Sequence, residues 1–279
     1  MTDQELEIKS WQLRQDVLDI IMAGGGGHIG GDMSVLNTLL VLYKKHLRIT
    51  PATADDPDRD RFVLSKGHSV EAYYAVLADC GFLSLDDVKA RFSKFGSPYI
   101  GHPNNRLPGI EMNSGSLGHG LPVSVGMALA ARMDHRSYRV YTVMGDGELA
   151  EGSVWEGAMS AANYRLDNLC AVVDRNHLQI SGNTEDVMRQ EDLAARWRAF
   201  GWHVLCVDGN RISALDTAFT QAGQFAGAPT VILADTTKGY GSAVMENKAA
   251  WHHHLPTAQE YAQITKDFAD RKAAAAHEQ

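Results

Sequence analysis

The sequence predicts an α/β fold built on a doubly wound, mostly parallel sheet with helices on both faces. Short β-rich apolar runs recur at 140–144, 169–173, 203–207 and 230–234. Helical stretches at about 151–164, 190–200 and 212–226 separate them, the length a crossover between parallel neighbours requires. In such sheets ligands sit beyond the carboxyl ends of the strands. That rule directs attention to four turns: Gly145-Asp146-Gly147, Asp174-Arg175-Asn176, Asp208-Gly209-Asn210 and Asp235-Thr236-Thr237-Lys238-Gly239.

The first 60 or so residues read instead as helices joined by polar loops. Trp11, Leu13, Val17, Leu18, Ile20 and Ile21 recur at helical spacing, and the glycines 24–27 stop that helix. Asp32 or Ser34 is placed to cap a second helix running through His46. The Asp- and Pro-rich stretch 50–60 reads as a solvated loop whose acids lack the order of a calcium loop. A short strand, 61–64, precedes the Ser-Lys-Gly-His turn, and Ser84 with Asp87 forms a capping box for a helix to about Phe92. Residues 257–279 read as one helix and a tail, frayed from about 272. The whole chain, 1–279, reads as one domain.

Composition narrows the function. The 279 residues are 44% hydrophobic and 22% charged, which suits a globular domain. Lys plus Arg number 26 against 34 Asp plus Glu, a net charge of −8, so neither nucleic acid nor an anionic membrane is expected as a partner. The acidic N-terminus has no apolar signal core and no run is long enough to span a bilayer, so a cytoplasmic setting is expected. Three scattered cysteines form no disulfide framework, and Cys170 and Cys206, inside strand-like runs, are expected to be buried thiols.

Gly25, Gly27 and Gly30 match the G-x-G-x-x-G dinucleotide fingerprint, but a helix rather than a strand precedes them, so the match is discounted. The stronger signal is Gly145-Asp146-Gly147-Glu148 after one strand and Asn176 after the next. Asp146 offers a carboxylate oxygen and Asn176 an amide oxygen, hard donors of the kind Mg²⁺ takes when phosphate and water complete its shell. The glycines let backbone N–H groups approach a phosphate, and a helix starting near Glu151 adds its dipole. Either element alone is an ordinary turn. Together, after adjacent strands, they make a site.

These residues resemble the thiamine-diphosphate motif, and the flanking blocks resemble the transketolase family. The blocks are Gly-Gly-His-Ile-Gly-Gly (26–31), Leu-Ser-Lys-Gly-His (64–68), Gly-His-Pro (101–103), Ser-Gly-Ser-Leu-Gly-His-Gly (114–120), Gly-Asp-Gly-Glu-Leu-Ala-Glu-Gly (145–152) and Thr-Lys-Gly-Tyr-Gly-Ser (237–242), in the family's order. The resemblance implies a thiamine-diphosphate-binding fold, with a divalent ion (Mg²⁺, or Ca²⁺ or Mn²⁺ in its place) held by Asp146, Asn176 and the Leu178 carbonyl. It implies that Gly145 and Gly147 line the diphosphate, Gly115 and Leu117 meet the aminopyrimidine, and Ile180 packs on the cofactor. His28, His68 and His102 match histidines around the reactive carbon and the donor's hydroxyls, with His68 also beside the diphosphate. Glu151 and Glu156 match acidic residues near the interface between subunits that couple to cofactor activation.

The family's His-x-x-His-Gly element departs here. His252 fits its second histidine, but the first has no clear counterpart, leaving Asn247, Lys248 or Lys238 as donors. The triplet 252–254 is discounted as a zinc site because adjacent residues cannot all face one ion. His119 stands where full-length members commonly carry Gln.

The family's activating Glu belongs to a second, pyrimidine-binding domain, for which this sequence shows no counterpart. The resemblance is therefore to the N-terminal subunit of a split transketolase. That implies transfer of a two-carbon ketol unit from a ketose (phosphate) to an aldose, with a C-terminal partner in an α₂β₂ assembly. Alternatives are a non-catalytic thiamine-diphosphate-binding module, or a subunit of the 2-oxo-acid dehydrogenase or deoxyxylulose-phosphate synthase type. The histidine blocks weigh against the dehydrogenase chains.

Overall fold

The computed structural model describes residues 1–277. Ten α-helices and seven strands occur among them. Helix α1 (Asp3–Gly24) starts at a Thr2/Glu5 capping box and stops at Gly25, whose φ of 82° and N–H bond to the Ile21 carbonyl suit a residue without a Cβ. Helix α2 (Ile29–Val41) begins earlier than expected, with His28 as its cap, and a π-helical turn, Leu42–His46, continues it. Asp32 and Ser34 do not cap it because tertiary partners claim them. Asp32 Oδ1 accepts the Ala72 N–H at 2.9 Å, and Ser34 Oγ donates to Asp174 at 2.6 Å.

Strand β1 (Arg61–Leu64) leads to α3 (Val70–Asp79) and α4 (Leu85–Arg91). Only half of the expected capping box forms: Ser84 accepts from the Asp87 N–H, while the Asp87 carboxylate is taken by Arg91 and Tyr99. Asp60 departs from the solvated-loop reading, being buried and clasped by Arg48.

Next come α5 (Gly120–Met133), β2 (Val140–Gly145), α6 (Gly152–Asn163) and β3 (Leu169–Arg175). A hairpin, β4 (Leu178–Gln179) with β5 (Gly182–Asn183), precedes the short α7 (Thr184–Val187) and then α8 (Leu193–Ala199). The chain continues through β6 (His203–Asp208), α9 (Ile212–Gln224), β7 (Thr230–Asp235) and α10 (Ala258–His277). Helix α10 runs through the stretch expected to fray, and packs along α1. Residues 278 and 279 lie outside the described residues.

Five strands form an all-parallel sheet in the order β1-β2-β3-β7-β6. Its faces follow the period-two alternation of a pleated strand. Tyr141, Val143, Cys170, Val172, Ile232 and Ala234 join the core under α1, α2, α3 and α9. Val140, Met144, Ala171, Val173, Val231 and Leu233 join the one under α5, α6 and α8. Strand β6 is an edge, and this corrects the thiol expectation: Cys170 is buried in the sheet's middle, but Cys206 is exposed. The register pairs Gly145 with Asp174, which sets the turns after β2 and β3 side by side at the carboxyl edge. No described helix is long and apolar enough to cross a membrane.

Candidate active site

The turns after β2 and β3 interlock. Asp146 is buried, its Oδ1 accepting the Gly147 N–H at 2.9 Å and its Oδ2 accepting the His177 N–H at 2.8 Å and the Thr184 hydroxyl at 3.1 Å. His177 adopts a left-handed φ of 64°, a strained conformation for a residue with a Cβ. It lies between Asn176 and Leu178, so the two expected donors flank the bend. Burial, and then the charge of nearby Asp174, push the Asp146 carboxyl up. A cation beside it would relieve both effects.

An ammonium already lies close by. Lys238 donates to the Leu178 carbonyl at 2.8 Å and to His252 Nδ1 at 2.8 Å. Burial is the largest cause lowering its pKa to about 8, Lys66 adds to that, and the carboxylates of Asp146 and Asp174 oppose it. The Leu178 carbonyl therefore serves a cation here, and Gly145 has open space where a Cβ would stand. An oxygen-donor set of one carboxylate, one amide and one carbonyl fits a Mg²⁺ whose remaining ligands are phosphate and water. No group of three His, Cys, Asp or Glu among the described residues could hold a metal ion by itself.

Lys238 is thus the residue that fills the place next to His252; Asn247 and Lys248 are exposed. The triplet splits as expected for adjacent residues. His252 turns inward, His253 is exposed beside His28, and His254 bridges Gly27 and lies 3.4 Å from Glu260.

Four histidines from four segments converge next to these turns. His28 caps α2, His68 follows β1, His102 comes from the 101–103 loop and His252 from the turn after residues 249–251. Ring centroids lie 5.3 Å apart for His28–His68, 6.0 Å for His28–His102, 5.5 Å for His28–His252 and 5.3 Å for His68–His252. Burial is the leading cause that lowers all four pKa values, with neighbouring rings and lysines adding for three of them. His28 falls to about 4 and His252 to about 3. The ring of imidazoles is therefore neutral near pH 7, and each can donate through one nitrogen and accept through the other.

The 114–118 turn closes one side. Gly115, at φ 136°, lies against the His102 ring, where a Cβ would come within 2.4 Å of Cδ2. Leu117 follows in the same turn. Glu148 ties this turn to the turn after β2: its Oε1 accepts the Gly118 N–H at 2.8 Å and the Ser65 hydroxyl, and its Oε2 accepts the Gly145 N–H at 3.1 Å. Gly147 packs on Gln179. Three expected residues lie away from the histidines: Ile180 is 74% exposed at the tip of the β4–β5 hairpin, and Glu151 and Glu156 are exposed at the start of α6.

The buried supports of the site had no role legible in the sequence. Asp174 accepts from Lys66, Ser34, Thr236 and Asn176. Gln190 donates to the Asp146 carbonyl. For Lys66 and Asp174 the signal was partial: each stands at the carboxyl end of an apolar strand, but β2 lies between those strands and only the sheet order brings the two side chains together. Gln190 lies in an irregular segment before α8 and carried none.

An α/β domain with an oxygen-donor turn pair, glycine-lined approaches and a neutral histidine ring is the kind that binds a diphosphate cofactor. Residues 8–273 match the family model described as transketolase, thiamine diphosphate binding domain. An apulose-4-phosphate transketolase subunit from Phocaeicola vulgatus is 45% identical, the match covering 97% of this chain and 96% of that protein. A 6-deoxy-6-sulfo-D-fructose transketolase subunit of a Clostridium species is 40% identical, covering 91% and 93%. The solved transketolase of Leishmania mexicana superposes with a TM-score of 0.89 at 29% identity, covering 99% of this chain but 44% of that one. The chain belongs to the transketolase family, as an N-terminal, thiamine-diphosphate-binding subunit of a split transketolase.

Proposed function

We propose that this chain supplies the metal, diphosphate and hydroxyl-binding half of a two-chain active site that moves a two-carbon ketol unit from a ketose phosphate to an aldose. The convergence of four neutral histidines beside the Asp146–Asn176 turns carries the reading.

Asp146, Asn176 and the Leu178 carbonyl hold Mg²⁺. Gly145 and Gly147 line the diphosphate, whose approach Gly145 leaves open, and His68, Lys238 and His252 stand beside it. Thiamine diphosphate, when bound, supplies the carbon nucleophile and the electron sink that a ketol transfer needs. The chain's residues bind, orient and shuttle protons around it. His28, His68 and His102, uncharged, hold the donor's hydroxyls and take or return the proton of a hydroxyl as the sugar carbon bond breaks and re-forms. Gly115 and Leu117 would meet the aminopyrimidine through backbone atoms. Exposed Ile180, Glu151 and Glu156 face a partner, Ile180 covering the cofactor and the two acids lying at the interface. That partner carries the activating Glu and the groups that read the sugar's far end, in an α₂β₂ assembly. The named substrates of the relatives, apulose-4-phosphate and a sulfofructose, favour a donor among ketoses with an anionic terminus.

Reconstitution tests this. The chain mixed with a C-terminal transketolase subunit, Mg²⁺ and thiamine diphosphate should release aldose from a ketose phosphate and extend an added aldose. Full turnover by this chain alone would refute the divided site.

A further inference from the structure

Behind the histidine ring lies a pair of acids that the ketol-transfer reading does not use. Asp32, in the first turn of α2, and Glu71, in the first turn of α3, are 0% and 1% exposed. Each uses one oxygen to hold a backbone N–H. Asp32 Oδ1 accepts from Ala72 at 2.9 Å, which ties α2 to α3, and Glu71 Oε1 accepts from His28 at 3.4 Å. The remaining oxygens, Asp32 Oδ2 and Glu71 Oε2, are buried and have no hydrogen-bond partner. Each carboxyl is perturbed by the other. Two neighbouring buried carboxylates with unpartnered oxygens would repel each other at full desolvation cost, so one of them carries a proton.

We propose that Asp32 and Glu71 share one buried proton and act as positioning residues that fix the backbone of His28, and so the imidazole's place in the donor pocket. The geometry leaves little slack. A Cβ on Gly27 would come within 2.3 Å of Glu71 Oε1, so the glycine run passes directly over the pair. His28 begins α2, its carbonyl accepting from Gly31 and Asp32. Moving Glu71 therefore moves the residue from which the helix and the imidazole both start.

Other charged or titratable groups facing the pair are few. Lys66, from the turn after β1, favours the ionised form of Asp32; His28 lies at the start of α2, Tyr74 on α3, and His68 beside Gly31. Burial outweighs Lys66 and raises both acids, Asp32 to about 7 and Glu71 well above its usual range. Acids whose folded pKa values are raised stabilise the fold at low pH. Their contribution is lost as pH rises through the folded value. Loss of the shared proton leaves two adjacent buried charges that push α2 and α3 apart at His28.

Two measurements on the chain itself test the shared proton. On raising the pH from about 6 to about 8.5, the wild type should lose a protonated-carboxyl C=O band in difference infrared spectra, and its Tm should fall. Asp32→Asn and Glu71→Gln mimic the protonated member. Either should abolish the band and flatten the Tm slope. A wild type without a titrating carboxyl band, or variants that keep the band and slope, would overturn the proposal. The consequence for His28 rests on the ketol-transfer reading and is measured in the two-chain enzyme. Glu71→Leu should raise the donor KM roughly tenfold with cofactor affinity retained, the scale of losing one charge-assisted bond, and Glu71→Gln should restore it. An unchanged KM in Glu71→Leu overturns the positioning role. Absence of ketol transfer by the wild type would sink the functional reading instead, without touching the spectra.

Discussion

Lys66 and Asp174 form an ion pair with 1% and 0% of their side chains exposed, which joins the turn after β1 to the end of β3 across β2 and, through Gly31 and Ser34, to α2. The carboxylate is held below its ordinary range although burial alone would raise it; Lys66, then the Ser34 and Thr236 hydroxyls, outweigh that cost. Removing one partner strands a buried charge. Lys66→Met should lower unfolding free energy by about 3–5 kcal/mol in urea titrations, whereas pairing it with Asp174→Asn, which removes the stranded charge and keeps an acceptor for the Ser34 and Thr236 hydroxyls, should recover part of the loss. A single variant as stable as the wild type would show that water reaches this pair.

Asp146 separates binding from folding. Its oxygens accept three protein donors, so alanine there orphans the His177 and Gly147 N–H groups and the Thr184 hydroxyl. Asp146→Asn removes the charge and keeps one acceptor oxygen, which can serve the His177 N–H and the Thr184 hydroxyl while the amide NH2 is set against the Gly147 N–H. The Asn variant should fold with a Tm above that of the Ala variant yet lose Mg²⁺-dependent thiamine diphosphate uptake by more than about 100-fold in calorimetry of the reconstituted complex, since outer ligands alone are worth about 10–100-fold. Undiminished uptake would place the metal elsewhere.

How far the sequence could be read depended on whether local pattern and tertiary role agreed. The strands β2, β3 and β7 were legible because a sheet covered on both faces demands continuous apolar runs, and β6 because its apolar run Val204 to Val207 persists at the sheet's edge. Helix α3 was not, because Val70 to Leu77 are all buried and leave no polar face to give the helical period. Helix α5 hid behind Gly120 and Pro122, yet Pro in a first helical turn forfeits no intrahelical bond. The histidines and the Asp146–Asn176 turns were legible through the family resemblance and their places after strands. The supports were less so. Asp32 looked like a helix cap, and nothing local told that Ala72, 40 residues on, would claim its oxygen.

Gly115 has two reasons to be glycine. Its φ of 136° is outside the range that side chains tolerate, and a Cβ would enter the His102 ring. Gly115→Ala should destabilise the chain by roughly 1–3 kcal/mol through backbone strain and overpacking. It should also raise the donor KM by more than the loss of Tm accounts for, because the displaced group is an imidazole at the hydroxyl-binding ring. A variant that melts early but keeps the wild-type KM would separate His102 from the donor.

The histidine ring sets an acid limit with a definite sign. His28 and His252 have folded pKa values lowered to about 4 and about 3, chiefly by burial and then by neighbouring cationic groups. The unfolded chain binds protons to these rings near the ordinary histidine value of about 6.5, while the folded chain resists until well below it. Stability should therefore fall as pH drops from about 6.5 towards 4, and recover on raising it. His252→Asn should remove part of that slope, and His28→Asn another part, in Tm measured against pH. Protonation of one ring also raises the cost of protonating the next, because centroids 4.8–5.5 Å apart leave little screening. The wild-type acid transition should consequently be broader than that of a single isolated histidine. A slope identical in the wild type and both variants would mean that water solvates the ring, and that its histidines titrate as surface groups do.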